Sequence, residues 1–448
     1  MNENKKARLI ELGAEALADA LLELADHNDA ADDLVERMIA TPEENIERFK
    51  AKLRSLKRSR HFIHWRESAS FARRLETLLQ DLRANVDDPK IGSKLVAAFY
   101  ETDKGTLGNC DDSSGHVGEV YRFDAKELFV SYARRCPDKE WLTELVFKLN
   151  KYDDYGVRDT LIDCAVEYLP EPNIRNLINM LQKTADKEED EYAKRHWLHL
   201  IESLARQNRD ARLFEKVRTD SWGTLSTAAF VDIAQVYLES GDPEAALSWL
   251  DKISPNETHQ IDERDRLLLE ILGRLGETEK QKDVARRIFR RHRSNDSLEA
   301  LLSVIGAQKR ESVITEETDL ILSAKTLSLS DTAFLMEMGQ VEDAERYLLD
   351  RVDQLNGDFY GSLLPLADAM ETNERHMAAI VVYRALLDSI LRRGRTKTYP
   401  HGVRYLKKLD RLARSVSDWR GMDDHDTYLQ QLRQAHGRKS SFWSRYGK

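Results

Sequence analysis

Apolar residues recur at three- and four-residue steps along almost the whole chain, the spacing that gathers them on one face of an α-helix. Leu9, Leu12, Ala16, Leu17, Leu21, Leu24 and Ala25 form the first such stripe. Ile46, Phe49, Leu53 and Leu56 form the second, behind a start marked by Thr41 as cap and Pro42 in the first turn. Phe71, Leu75, Leu78, Leu79 and Leu82 make a third. The stretch from Asp103 to Gly118 holds Gly105, Gly108, Gly115 and Gly118, and a long loop is expected there. Helices are expected again over 120–135, 141–149 and 157–169, before Pro170 and Pro172 break the pattern.

From residue 226 the pattern becomes a repeat. The run from Val236 to Leu250 reads as a helix, a Gly turn and a second amphipathic helix, and the segments around Leu268–Glu277 and Phe334–Glu345 follow the same plan. Turns at Gly241, Gly276, Gly306, Gly339 and Asn373 are spaced by 35, 30, 33 and 34 residues. Gly, and less often Asn, suits a chain that leaves a helix through a left-handed conformation. In this light 226–392 resembles tetratricopeptide repeats. Gly241-Asp-Pro-Glu-Ala-Ala-Leu matches their turn and second helix, whereas the first-helix Trp and Gly-Tyr signature is largely missing. The resemblance implies an all-α, right-handed α-solenoid that binds partners along a concave face. One hairpin cannot bury its apolar face alone, but a row of them shares a continuous core.

A second resemblance spans nearly the whole chain. Asp111-Asp-Ser-Ser-Gly-His-Val-Gly-Glu-Val, Asp153-Asp-Tyr-Gly-Val and the tail from Tyr405-Leu-Lys-Lys-Leu-Asp to His436-Gly-Arg-Lys look like an uncharacterised family of bacterial all-helical proteins, a domain of unknown function. It implies a fold and no activity. The tail is also similar to the helical C-terminal part of bacterial SWIM zinc-finger proteins. Their Cys-x-Cys and Cys-x-His ligands have no counterpart here, so no zinc function carries over.

Composition narrows the classes. Only 20 of 448 residues are Gly and 9 are Pro, while 33% are charged and 41% hydrophobic, which argues against all-β folds, collagen and wholesale disorder. Four stretches are expected: an N-terminal helical segment (1–102), a middle segment carrying the Gly-rich Asp loop (103–225), the repeats (226–392) and a basic helical cap (393–448). No run approaches the roughly 20 apolar residues that cross a bilayer. The charged start, Met1-Asn-Glu-Asn-Lys-Lys, lacks the apolar core of a secretory signal. Cys110, Cys136 and Cys164 show no Cys-x-x-Cys spacing, so a reducing cytoplasm and no membrane association are expected.

Charge is uneven. The net charge is -10, yet 374–448 carries 17 Lys and Arg against 7 Asp and Glu, leaving the preceding residues at -20. Arg392, Arg393, Arg395, Lys397, His401, Arg404, Lys407 and Lys408 are candidate anion or nucleic-acid contacts, interleaved with Tyr399, Tyr405, Trp419, Tyr428, Phe442, Trp443 and Tyr446. Such an end could track phosphates and stack bases. A capping helix pair with its aromatics packed inward is favoured, because Tyr405, Leu409 and Leu412 share a face. A third option folds the tail against the acidic remainder of the chain. The smaller cluster Arg287-Ile-Phe-Arg-Arg-His-Arg reads as an exposed helix end whose cations complement the dipole.

Candidate chemistry centres on two Asp loops. If they met, Asp111, Asp112, His116, Asp153 and Asp154 could form an acidic or metal-binding pocket. Helix capping by Asp112, Ser113 or Ser114, and by Asp153, is the simpler reading, and the EF-hand order is not met. His61 and His64 flank Phe62 and Trp65 with no third ligand nearby, so a helix junction is favoured. Cys110 sits where exposure is permitted, without an activating neighbour in sequence. Phosphate loops, nucleophile elbows, His-Glu-x-x-His and dinucleotide fingerprints are absent. The expected function is therefore a protein–protein interaction scaffold or adaptor with a protein or peptide partner. No catalytic residue, cofactor or oligomeric state is assigned. A nucleic-acid-associated protein and a metal-dependent enzyme are the alternatives.

Overall fold

In a computed structural model, residues 2–28, 31–32, 35–36 and 39–447 are described. Among them the backbone is helical apart from turns, loops and one isolated parallel bridge between Ile63 and Cys110. The chain divides into two compact units, 1–254 and 255–448.

In the first unit, Thr41 caps the Pro42–Arg58 helix through a reciprocal capping box with Glu44. The long Trp65–Asn85 helix buries Phe71, Leu75, Leu78, Leu79 and Leu82, the stripe read from the sequence. These side chains join a core running from Phe49 to Val217, centred on Phe99, Tyr100, Tyr121, Phe129 and Tyr132. The buried phenols are satisfied internally: Tyr100 donates to the Tyr121 carbonyl (2.8 Å), and Tyr132 to those of Val86 (2.8 Å) and Leu82 (3.1 Å). The N-terminal stripe behaves differently. Ala14–Asp26 is helical, but none of its residues is buried, and Leu9, Leu12, Leu22 and Leu24 are each at least half exposed.

Two expectations of local structure change here. The stretch 103–118 is only partly loop, since Asp103–Gly108 and His116–Glu119 are helical and a π-helical turn, Val120–Ala125, leads into Lys126–Arg135. Conversely, 157–169 is not one helix but a turn, Asp159–Ile162, and a 3-10 turn, Ala165–Glu167. Both departures converge on one pair. Arg158 reaches inward to the buried Asp103, with Nε to Oδ2 and Nη2 to Oδ1 each at 2.7 Å. Its remaining donors meet the carbonyls of Leu149 (2.8 Å) and Tyr100 (3.2 Å).

A pair of helices stands at each of the five repeat positions, four of them packed directly as hairpins. The first, Thr227–Ser240 and Pro243–Leu250, lies in the first unit. The other four lie in the second: Ile261–Leu275 with Thr278–Arg291, Asn295–Ile305 with Arg310–Ser323, Leu329–Glu337 with Val341–Leu349, and Tyr360–Thr372 with His376–Arg393. Gly241, Gly276, Gly306 and Gly339 turn through positive φ, but at the last turn Asn373 keeps a negative φ and Glu374 takes the left-handed position. Leu329–Glu337 packs on Tyr360–Thr372, and Val341–Leu349 on His376–Arg393, so equivalent helices of successive hairpins touch. That is the packing of tetratricopeptide-like repeats, which share one apolar interior from Ala285 to Phe442.

The Arg287–Arg293 cluster is corrected by the structure. It is no simple exposed helix end. Arg287 and Arg291 bind Asp265, which is fully buried, and Arg290 and Arg293 bind the equally buried Glu317. Arg293 also reaches Asp331 at 2.9 Å. Burial alone would raise the Asp265 carboxyl, but hydrogen bonds from Arg287 and Arg291 hold it below the usual carboxylate range. The cluster therefore ties the two helices of its own hairpin through Asp265 and fastens them to the next helix pairs through Glu317 and Asp331. Its partners lie more than twenty residues away, beyond the reach of a local pattern.

Candidate functional site

The two Asp loops are built on backbone capping. Asp112 accepts from the amides of Val117 (2.9 Å) and Gly118 (2.8 Å), closing the turn before His116–Glu119. Asp111 accepts from the Ser113 amide and hydroxyl. Asp153 accepts from the amides of Tyr155, Gly156 and Arg158, at 2.9, 2.9 and 2.7 Å, while Asp154 pairs with Lys104 at 2.9 Å. Asp153 and Asp154 border a groove of about 460 Å³ whose lining does not include Asp111, Asp112 or the exposed His116. No three His, Cys, Asp or Glu side chains converge as a metal site among the described residues. Cys110, bridged to Ile63, is buried rather than exposed, and burial raises its thiol.

The basic C-terminal residues separate into two groups. Arg392 and Arg393 face Asp358, with Arg393 at 2.7 Å. Lys408 is held by Asp368 (2.8 Å) and Glu371 (3.0 Å), beside Tyr383 and Arg411. Arg395, Lys397, His401, Arg404 and Lys407 are exposed, and their side chains make no hydrogen bond or ion pair among the described residues. The interleaved aromatics are largely structural. Tyr399, Tyr405, Tyr428 and Phe442 are buried, and Trp419, Trp443 and Tyr446 pack against the same core. Tyr446 donates to Asp410, as Tyr428 does to Asp388 at 2.7 Å. Arg384 lies over Trp419 and Tyr428, and its burial pulls its own pKa down.

Three of the candidate anion contacts, Arg393, Arg395 and His401, meet at a cavity of about 440 Å³ in the second unit. Helical spacing builds it. Tyr360 and Leu364 lie one turn apart on Tyr360–Thr372, Leu386, Ile390 and Arg393 follow one face of His376–Arg393, and His401 and Tyr405 do the same on Tyr399–Leu412. Arg395 and Thr398 enter from the connection between the last two helices. Gly357 allows the chain to close against this floor, since a Cβ there would sit 1.9 Å from the Ala385 carbonyl oxygen. The result is an apolar floor with a cationic rim. Arg393 shares its charge with Asp358, whereas Arg395 and His401 are free to meet an anion. Tyr360, 68% exposed, stands at the rim.

Charge density in the sequence points to Arg393, Arg395 and His401 but misses Tyr360, Leu364, Leu386 and Ile390. A Leu lining a cavity and a Leu filling a seam have the same spacing. Gly357 is the local signal that marks a close approach, but sequence does not name its neighbour.

The fold and this site define an all-α protein of consecutive helical hairpins with a cation-rimmed apolar pocket. The chain belongs to DUF6880, a family of unknown function, which it matches over residues 2–445. Among solved structures it is similar to a chain of "Structure of Naa15/Naa10 bound to HypK-THB", with 12% identity and a TM-score of 0.30, covering 84% of this chain and 67% of that one. No curated protein matches the sequence. None of the helices in the described residues is long and apolar enough to cross a membrane.

Proposed function

We propose that the protein is a binding scaffold whose second unit docks an acidic, apolar-bearing peptide segment of a protein partner, in a bacterial cytoplasm. One observation supports this above the others: the cavity of about 440 Å³ that joins an apolar floor to the unpaired Arg395 guanidinium and the His401 imidazole. Its volume falls within the range of ligand pockets, which typically combine apolar walls with a few orienting polar groups. A guanidinium at the rim offers a planar fork for a carboxylate, and Leu364, Leu386 and Ile390 offer a seat for a Leu or Phe side chain. The reading that gave the basic cap to nucleic acid loses support, because the aromatics that would stack bases are committed to the core. The metal-enzyme reading loses support as well, because Asp111, Asp112 and Asp153 are engaged by backbone amides and Asp154 by Lys104.

Panning a displayed peptide library on the full chain tests the proposal. Sequences that pair Leu or Phe with Asp or Glu are expected to enrich, and to lose at least about tenfold in affinity against Arg395→Glu, the equivalent of about 1.4 kcal/mol. Tyr360→Ala, at an exposed rim position, is expected to weaken the same peptides. Enrichment of basic peptides, or peptides indifferent to both substitutions, would refute it.

A further inference from the structure

The first unit carries a second surface that the peptide reading leaves unused. From Ala51 to Arg66 the chain contains no Asp or Glu, but it holds Lys52, Arg54, Lys57, Arg58, Arg60 and Arg66, with His61, Phe62, His64 and Trp65 among them. The Pro42–Arg58 and Trp65–Asn85 helices bracket its exposed turn. That turn is pinned rather than free: the Ile63 amide donates to the Asn109 carbonyl and the Asp111 amide to the Ile63 carbonyl, both at 2.8 Å. Ile63 packs against the core. Its neighbours Phe62 and His64 stand together on the solvent side, ring edge to face at 5.3 Å.

Phe62 is 47% exposed and Trp65 56%, with the Arg66 guanidinium 5.3 Å from the Trp65 ring. Arg58, Arg60 and Arg66 have no ion pair among the described residues. Of the nearby acids, Glu101 is engaged by Lys57, Asp111 by Ser113 and Asp112 by two amides, while Glu67, directly after Arg66, is exposed to solvent. Lys57 also lines the groove of about 460 Å³, alongside Lys148, Lys151 and the exposed Tyr152. Within the fold these groups make only the exposed Arg66–Trp65 and Phe62–His64 contacts, the first worth about 0.5–1 kcal/mol, and much of both aromatic side chains stays in water. Positive charge that can follow a backbone, with rings that can take bases, is the chemistry of single-strand binding.

We infer that the Lys57–Arg66 ledge binds single-stranded nucleic acid, with Phe62 and Trp65 stacking bases and Arg58, Arg60 and Arg66 meeting phosphates. An acidic peptide would match the charge but would leave both rings without planar partners. Three phosphate contacts predict a log–log salt slope of about -2 for a single strand, or a loss of about twentyfold between 50 and 200 mM salt.

The test is fluorescence anisotropy of the full chain with labelled oligo(U) and oligo(dT) of about 12 nucleotides, within the range of known single-strand sites. Phe62→Ala and Trp65→Ala are expected to weaken binding about tenfold each without changing the salt slope. Both sites are exposed, and an unchanged thermal midpoint confirms folding. Arg60→Gln is expected to make the slope shallower by about 0.7. Preference for oligo(U) over oligo(dT) would assign the site to RNA, and the reverse to DNA. No binding at 50 mM salt would overturn the inference. So would equal affinity for polyglutamate, or loss of binding through Arg395→Glu and Lys407→Glu with the ledge variants unaffected.

Discussion

Removing one partner of the Asp103–Arg158 pair should damage the first unit in a way that depends on which partner goes. The pair is 1% and 4% exposed at its side chains, and Arg158 uses its guanidinium on the Asp103 carboxylate and two carbonyls. Breaking such a pair strands a charge in the interior at a cost of about 3–5 kcal/mol. Asp103→Asn leaves a guanidinium that cannot lose its proton, so the full cost is expected at any pH. Arg158→Met leaves a carboxylate, which can escape by protonation. Burial already pushes the Asp103 carboxyl upward against the pull of Arg158, and without the guanidinium it should rise further. A group with a raised folded pKa contributes stability at low pH and loses it as pH rises. Arg158→Met should therefore regain stability on acidification, by up to about 1.4 kcal/mol per pH unit between its unfolded and folded values.

The assay is urea unfolding followed by tryptophan fluorescence, since five of the seven Trp residues belong to 1–254. Hydrogen exchange over 89–162 would assign the transition, because a chain of two units need not unfold in one step. Asp103→Asn combined with Arg158→Met should cost less than the sum of those two single substitutions, the mark of direct coupling. A loss under about 1 kcal/mol for Asp103→Asn, or a pH-independent Arg158→Met, would refute the reasoning.

Acid should weaken the second unit through Asp265, Asp368 and Glu371. Burial would raise their carboxyls, but hydrogen bonds from Arg287 and Arg291, and from Lys408 and Tyr383, hold all three below the usual range. Their contribution is then complete above about pH 5 and lost as pH falls below about 4. Calorimetry between pH 7 and 3 should show the midpoint of 255–448 dropping, and a flat midpoint would contradict the assignment. Gly92→Ala should cost about 1–3 kcal/mol despite the helix preference of Ala. Its Cβ would lie 2.4–2.6 Å from atoms of the Tyr132 ring, whose hydroxyl is tied to Leu82 and Val86; urea titration reads this directly. Cys110, Cys136 and Cys164 are buried, with burial pushing the Cys164 thiol up to about 11. A thiol reagent at neutral pH should label the native chain slowly and reach three thiols only after denaturation, so rapid native labelling would count against the packing around them.

The parts of the structure legible in the sequence are those decided by residues close together. Gly241, Gly276, Gly306 and Gly339 end helices by their own backbone freedom, so the hairpins and their period could be read directly. The displaced turn at Glu374 shows the limit of that logic, because Asn373 supplies the expected residue type one position early. Where a helix depended on a distant partner, the local pattern misled. Gly105 and Gly108 look like loop residues, yet Asp103–Gly108 is helical because Asp103 is anchored from 55 residues away. The candidate sites divide the same way. Arg393, Arg395 and His401 were visible as polar groups, whereas their availability depends on Asp358, Asp368 and Glu371, which neutralise Arg393 and Lys408 and leave Arg395 and His401 open. Likewise Phe62 and Trp65 read as an ordinary helix junction until the bridge at Ile63 showed which side faces water. A stretch of sequence lists the charges and rings on offer; long-range pairing removes most of them, and the unpaired remainder marks the surfaces worth testing.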